Sequence, residues 1–446
     1  KDLCIKLADR GVQLSATNDR LVSDLVFGSD SPDIPEILRE CGKRGVNWNV
    51  MNQFGESLFN QILSVIHTSY NGCDSFDLVK ALVEGGTDIN FVDGYGNCPV
   101  NKLAGHLQGS YPDVMRYLLK QNPRMDVLDP YVAFSVFWLA DSYAKNHDMA
   151  EVLLKYVIQK AKKGEHLVFT EVAYLIEKDE IQLAFECLKT GKADIDAPRD
   201  LPTESNPLWQ AVRKNEVELI RFLLEKGAWL NRISKYHSTI LSSNLEKMTA
   251  EVLELLLDFG IEANQTLDYG RSVLSYAAMY SLDKVKVLVE RGAKINEKPN
   301  YSAAALAAAY NGLLDVLLYL TEHGAVLTGK DPNGDSILHK AVQSKSLEVV
   351  QFLLEQQIPV SMNQKQQTPL HYAAELELLE IYELLLKAGA SDEQADFEGN
   401  TPKEIAIGKK SFRSLYANET SFDLSTIQKL VTEPLNWLLE ELYIEH

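Results

Sequence analysis

At 446 residues the chain exceeds what a single compact core comfortably holds, so it is either several domains or a repeat array. An apolar share of 46% suits a folded, water-facing protein, and no unbroken apolar run of about 18 residues occurs, which argues against a membrane-spanning helix. Forty-four basic against 63 acidic side chains give a net charge of −19, which argues against nucleic acid or an anionic bilayer as partner.

The start, from Lys1 to Gly11, shows no apolar core and no small-residue cleavage site, so no signal peptide is expected. Short turns at Gly11-Val12-Gln13-Leu14, Gly45-Val46-Asn47-Trp48-Asn49 and Gly86-Thr87-Asp88-Ile89-Asn90 alternate with helix starts at Ser57-Leu58-Phe59 and Cys98-Pro99-Val100. From Ser57 to Gly86 the count is 29 residues against about 21 elsewhere, which predicts a loop near 69–74. A smaller insertion is expected around 108–112, and Asn122 stands where glycine is usual, because asparagine tolerates the left-handed conformation. The stretch from Ser135 has no recognisable turn, and its second helix is expected to run on from Leu153 to Lys163. Residues 129–165 therefore read either as a degenerate unit that bends the array or as a regular unit that has drifted.

Beyond Asn206 the period is regular. One helix-start pattern begins at Asn206, Thr239, Ser272, Ser302, Ser336, Thr368 and Thr401, at intervals of 33, 33, 30, 34, 32 and 33 residues. Its clearest copy is Thr368-Pro369-Leu370-His371-Tyr372-Ala373-Ala374. Proline suits a first helical turn, the preceding threonine or serine caps the orphan amides, and the alanine pair lets two helices approach closely. An apolar stripe such as Val217, Ile220, Leu223 and Leu224 then marks one face of a second helix. Gly227, Gly260, Gly292 and Gly389 suit the left-handed turn that ends it. The chain next passes through a short finger into a turn such as Asp396-Phe397-Glu398-Gly399-Asn400-Thr401. After Thr401 the period stops. The tail, with Pro434 placed to open a helix, reads as a cap over the last apolar face or as a docking helix.

These residues resemble the ankyrin repeat, whose period and T-P-L-H-x-A pattern the copy at Thr368 matches. The resemblance is strong from Thr170 to Ala406 and weaker before it. It implies an all-α ankyrin-repeat solenoid of stacked helix-turn-helix units with β-hairpin fingers, about eleven or twelve units including degenerate ones. The implied organisation is 1–128, N-terminal repeats, the first one partial and with loop insertions; 129–165, the degenerate unit; 166–400, the main array; 401–446, a last partial repeat and C-terminal helical cap.

Chemistry is sparse. The five cysteines, Cys4, Cys41, Cys73, Cys98 and Cys187, form no CxxC pair, so neither a disulfide framework nor a zinc ribbon is expected and a reducing intracellular compartment fits. The sequons at Asn264, Asn300 and Asn418 are read as chance triplets. The histidines form no metal-binding pair, and His339 and His371 occupy the position where the ankyrin family ties repeats together by hydrogen bonds. Asp396–Asn400 is faintly similar to a Fic-type loop, but it lacks the upstream histidine and falls in phase with the repeat turn. No catalytic residue, no cofactor and no metal is expected.

The reading is a non-catalytic scaffold or adaptor, a cytoplasmic monomer holding a partner protein in a concave groove. The alternative is an enzyme with a cryptic site in 129–165 or in the tail. The divergent units and the tail carrying Glu433, Glu440, Glu441 and Glu445 also resemble ankyrin-bearing effectors that intracellular bacteria deliver into host cells. That would imply secretion and a host partner, although a eukaryotic adaptor fits the same features. In the family the contact positions lie four, three and one residues before the motif and seven and eight after its first residue. With the finger residue Trp229 they select Arg213, Lys235, Tyr236, Tyr269, Arg271, Met279, Tyr280, Tyr301 and Tyr310 as partner-binding residues. Tyrosine and arginine are types that dominate binding hot spots, although each tyrosine could equally stack between units. Trp48 is expected in the core.

Overall fold

The computed structural model describes residues 32–66, 74–128, 135–199, 201, 203–234, 237–267, 270–296 and 304–416. It divides into two compact units, one up to Ile261 and one from Glu262. The expected loop near 69–74, except for Asp74, and the tail from 417 lie outside the described residues.

In the first unit the helices are α1 (Ile34–Lys43), α2 (Leu58–Ser64), α3 (Ser75–Glu84), α4 (Pro99–Ala104), α5 (Pro112–Leu119) and α6 (Val136–Trp138). A π-helical turn, Leu139–Tyr143, continues α6. There follow α7 (His147–Lys162), α8 (Phe169–Glu177), α9 (Ile181–Lys189), α10 (Pro207–Lys214), α11 (Val217–Glu225), α12 (Ile240–Asn244) and α13 (Ala250–Asp258). The second unit holds α14 (Val273–Ala277), α15 (Leu282–Glu290), α16 (Ala304–Tyr310), α17 (Leu314–Glu322) and α18 (Ile337–Gln343). It continues with α19 (Leu347–Glu355), α20 (Pro369–Glu375), α21 (Leu379–Lys387) and α22 (Pro402–Ile407), and ends in a 3-10 turn at Lys410–Phe412.

The starts form where the chemistry of the motif requires. Asn206 accepts from the Trp209 amide at 2.9 Å ahead of Pro207, and Thr401 closes a capping box with Glu404. Within each unit the helix pairs then stack in the same register. First helices touch first helices along α8, α10 and α12 in one unit and along α14, α16, α18, α20 and α22 in the other. Second helices pair likewise, α11 with α13, α15 with α17, and α19 with α21. The seam between the layers is carried by one leucine per repeat: Leu223 and Leu256 in the first unit, Leu288, Leu320, Leu353 and Leu385 in the second, all fully buried. Each such burial contributes about 1.5–3 kcal/mol. Trp48 joins the core as expected, its indole N–H donating to the Leu38 carbonyl at 3.1 Å.

The fingers are simpler than the expected hairpins. Among the described residues they close with single antiparallel bridges, Met51 to Ser57, Thr266 to Ser272 and Lys330 to Ser336, and no strand ladder forms. The reason is local competition for amides. Asn52, Asp93, Asp331, Asn363 and Asp396 each accept two backbone N–H groups of their own turn, which leaves few for a partner strand. A second set of side chains joins finger to finger. Asn49, Asn90, Asn264 and Asn296 accept from the amides of Asp88, Arg124, Lys294 and Val326 in the next repeat, at 2.7–2.9 Å.

The irregular stretch takes the expected form in its second helix. α7 has 16 residues where α9, α11 and α13 have nine. Asn122 adopts a φ of 55°, as its place at a helix end predicts. Gln357 occupies the same left-handed place after α19, at φ 58°, where Gly292 and Gly389 end α15 and α21. A Cβ costs energy in that conformation. Gln357→Gly is therefore expected to stabilise the second unit by about 0.5–1 kcal/mol, read as a higher urea midpoint with an unchanged slope. No helix among the described residues is long and apolar enough to cross a membrane.

Candidate functional site

In the second unit the exposed ends of the first helices carry a strip of aromatic and charged side chains. It begins at α14. Arg271, exposed, brings its guanidinium to 3.9 Å from the sulfur of half-buried Met279. Tyr280 is 39% exposed and packs edge-on against Tyr276, with ring centres 5.4 Å apart. At the end of α16, Tyr310 is 51% exposed, and the Lys340 ammonium lies 5.8 Å from its ring centre. Lys340, on α18, is clamped between Asp331 at 2.7 Å and Asp335 at 2.9 Å. Asp335 in turn accepts from the Asn363 amide at 2.8 Å and from the Tyr372 hydroxyl of α20 at 3.0 Å.

This network fixes its own charges. Burial works against the ionised form of Asp335, but hydrogen bonds from Asn363 and Lys340 outweigh it and hold the carboxyl below its usual range. Burial likewise opposes the charge on Lys340, yet its bonds to Asp331 and Asp335 raise its affinity for the proton. Burial and the adjacent Asp335 push the Tyr372 phenol upward, so it remains a donor. The strip thus presents an exposed guanidinium, a clamped ammonium and several aromatic faces.

The sequence-selected residues divide. Arg271, Met279, Tyr280 and Tyr310 lie on this strip of the second unit. In the first unit, Arg213 is exposed and ion-paired to Glu204 at 3.4 Å. Trp229 is half-buried there, with the Arg232 guanidinium 5.2 Å from its ring and its amide held by Asp196 at 2.8 Å. Lys235, Tyr236, Tyr269 and Tyr301 lie outside the described residues. The chosen positions omitted the residue four after the motif's first, which supplies Tyr276, Lys340 and Tyr372. That position was visible in the repeat register: it sits one helical turn before the chosen position eight and faces the same way.

The irregular stretch 129–165 borders a cleft with the residues before it. This cleft, of 370 Å³, is lined by His106, Ser110, Asn146, His147 and Asp148 among others. The Ser110 hydroxyl donates to Asn146 at 2.9 Å, while His106 Nδ1 accepts from the Gln108 amide at 3.3 Å. The Ser110 hydroxyl thus has as acceptors the Asn146 oxygen and, at 3.4 Å, the Asp148 carboxylate. His339 and His371 are structural, as the resemblance implies. Nδ1 of each accepts from the amide at its own helix start, Ser336 at 3.1 Å and Thr368 at 3.0 Å. Nε2 of each donates to the next repeat, to the carbonyls of Gln367 at 2.9 Å and Asn400 at 3.2 Å.

The family model for ankyrin repeats in three copies matches residues 241–331 and 305–396. NF-kappa-B inhibitor alpha of Gallus gallus is 40% identical over 88 residues, covering 19% of this chain and 28% of the relative. The chain thus spans little more than a quarter of that relative's length. Among solved structures, the human ASB11 ankyrin repeat domain is 23% identical with a TM-score of 0.44, over 47% of this chain and 95% of that one. The ankyrin repeat domain of Bcl-3 is 22% identical with a TM-score of 0.40, over 47% and 97%. With the same capped helix pair and ring-nitrogen ties recurring through the matched residues, the stretch 241–396 is an array of ankyrin repeats.

Proposed function

We propose that the chain is a non-catalytic scaffold that holds a partner protein on the first-helix face of its second unit. The observation that carries the reading is the exposed strip of Arg271, Tyr280 and Tyr310 beside the clamped Lys340. Arginine and tyrosine concentrate binding energy because they cover large area at low entropic cost and keep a polar end for orientation. The rigid network around Asp335 supports the strip and lowers the cost of ordering it on binding. Ankyrin repeats serve protein–protein interaction, and the chicken relative is named for inhibiting another factor, which fits a role exerted by binding. The delivered-effector reading adds only that the partner is a host protein, acted on by a secreted monomer. It rests on the divergent units and the glutamate-rich tail.

The test is affinity capture from a eukaryotic lysate with the wild type beside Arg271→Ala/Tyr280→Ala/Tyr310→Ala, followed by titration of the captured partner. The triple variant is expected to bind about 2–4 kcal/mol more weakly, a loss of roughly 30- to 1,000-fold. Glu380→Ala, on the second-helix layer, is expected to bind as the wild type does. A partner held equally by the triple variant and the wild type would refute the reading.

A further inference from the structure

The first unit carries a second surface of different chemistry. It arises from the length of α7. Eight residues make α5 about 12 Å long, whereas the 16 of α7 make about 24 Å, so α7 runs on past the end of its neighbour. The step between them is a cleft of 510 Å³. Leu119 and Val152, both buried, and half-buried Tyr156 supply an apolar floor, and the Tyr156 hydroxyl reaches Asn122 at 3.3 Å. The rim is basic on balance: Arg116, Lys120, Lys155 and Lys163 stand against Glu165 of the lining and against Asp113 and Glu151, which pair with Arg116 and Lys155. In a chain of net charge −19 this is a local reversal of sign.

The basic groups are available for exchange. Arg116 pairs with Asp113 at 2.6 Å, Lys155 with Glu151, and Lys163 approaches Glu165 at 3.8 Å. All six side chains are about half exposed or more. Exposed pairs of this kind contribute only about 0–1 kcal/mol each, so an incoming carboxylate can replace the present partner at small cost. Leu119 and Val152 are already buried, so the apolar area left for a partner to cover lies on Tyr156 and the stems of the rim side chains, and covering it adds energy that a purely ionic contact lacks.

We propose that the α5–α7 cleft is a docking site for an acidic, partly apolar peptide segment of a partner protein, separate from the strip of the second unit. The charge of the rim sets the sign of the occupant, and the floor requires apolar side chains among its carboxylates. A phosphate polymer would meet the same rim but gain little from the floor, and it would be repelled by the rest of the chain. The selectivity therefore favours a peptide.

The probe is a fluorescein-labelled, glutamate-rich peptide of about twelve residues carrying two leucines, followed by anisotropy against the whole chain. Saturable binding is expected, weakening as NaCl rises from about 50 to about 300 mM. Lys120→Glu/Lys155→Glu/Lys163→Glu is expected to bind at least about tenfold more weakly, and the corresponding triple glutamine variant at least about threefold. Lys189→Glu/Lys226→Glu, elsewhere in the same unit, is expected to bind as the wild type does. Circular dichroism confirms the fold of each variant, and the glutamine variant decides the matter if the glutamate variant unfolds. No saturable binding by the wild type below about 1 mM would overturn the proposal. Equal loss in the control variant, or displacement of the peptide by an oligothymidylate of the same length, would overturn it too.

Discussion

Replacing Arg232 by alanine is expected to destabilise the first unit by about 3–5 kcal/mol, the range for breaking a buried ion pair from one side. The side chain is 2% exposed, although arginine is among the residues least often buried. Its Nη1 donates to the carbonyls of Pro198 at 2.9 Å and Leu201 at 2.6 Å, and its Nη2 to that of Ala197 at 2.8 Å. Asp196 completes the clamp at 3.2 Å, and Trp229 covers the guanidinium face. One planar fork thus gathers the backbone of the preceding finger. Truncation would take the donor from the Ala197 carbonyl and one donor each from Pro198, Leu201 and Asp196, which keep bonds from the Leu201, Thr203 and Trp229 amides, and a group orphaned away from water costs about 1–3 kcal/mol. Arg232→Lys is expected to recover little, because a point ammonium cannot span three carbonyls in one plane. Urea unfolding checks the magnitude. Hydrogen exchange should show the loss of protection centred on 194–203, since repeat proteins open locally. A loss below about 1 kcal/mol would mean that water replaces the fork.

Stability of the second unit is expected to fall as the pH drops below about 6.5, with His339 and His371 as the cause. Both rings are fully buried and hold one proton in one place: Nε2 donates to the next repeat while Nδ1 faces an amide N–H. A second proton would have to point at that amide. Burial lowers the proton affinity of each ring below the ordinary 6.5, against the raising effect of the Gln367 and Asn400 carbonyls. Asp335 near His339, and Asp396 and Glu375 near His371, also raise it, without reversing the direction.

The sign follows from linkage. A depressed histidine is protonated first in the unfolded chain, so the unfolded state gains protons as pH falls through 6.5 and the folded state does not. The contribution is complete above that value and declines below it, by up to about 1.4 kcal/mol per pH unit for each ring. Urea midpoints at pH 7.5 and 5.5 should therefore differ for the wild type and converge for His339→Gln/His371→Gln. An equal drop in the double variant would assign the acid sensitivity to other groups.

What was legible in the sequence is the repeat. Its period, the Thr368–Ala374 motif, the caps and the seam leucines all follow from interactions spanning one or two helical turns, which a linear pattern records. The overshoot of α7 and the left-handed Asn122 were legible for the same reason. The simplified fingers were not, because whether Asp396 or a neighbouring strand takes an amide depends on how close the next finger comes. Nor was Arg232 legible as a clamp: its partners lie more than thirty residues away and are backbone carbonyls, which carry no sequence signature.

The surface divides in the same way. The register alone selected Arg271, Met279, Tyr280 and Tyr310 as outward-facing positions on the second unit. That Lys340 is held by two carboxylates beneath Tyr310, and that Arg116, Lys120, Lys155 and Lys163 meet over an apolar floor, was decided by the tertiary structure. A helix repeats every 3.6 residues and writes its buried face into the chain; a charge cluster assembled from different helices leaves no period to read.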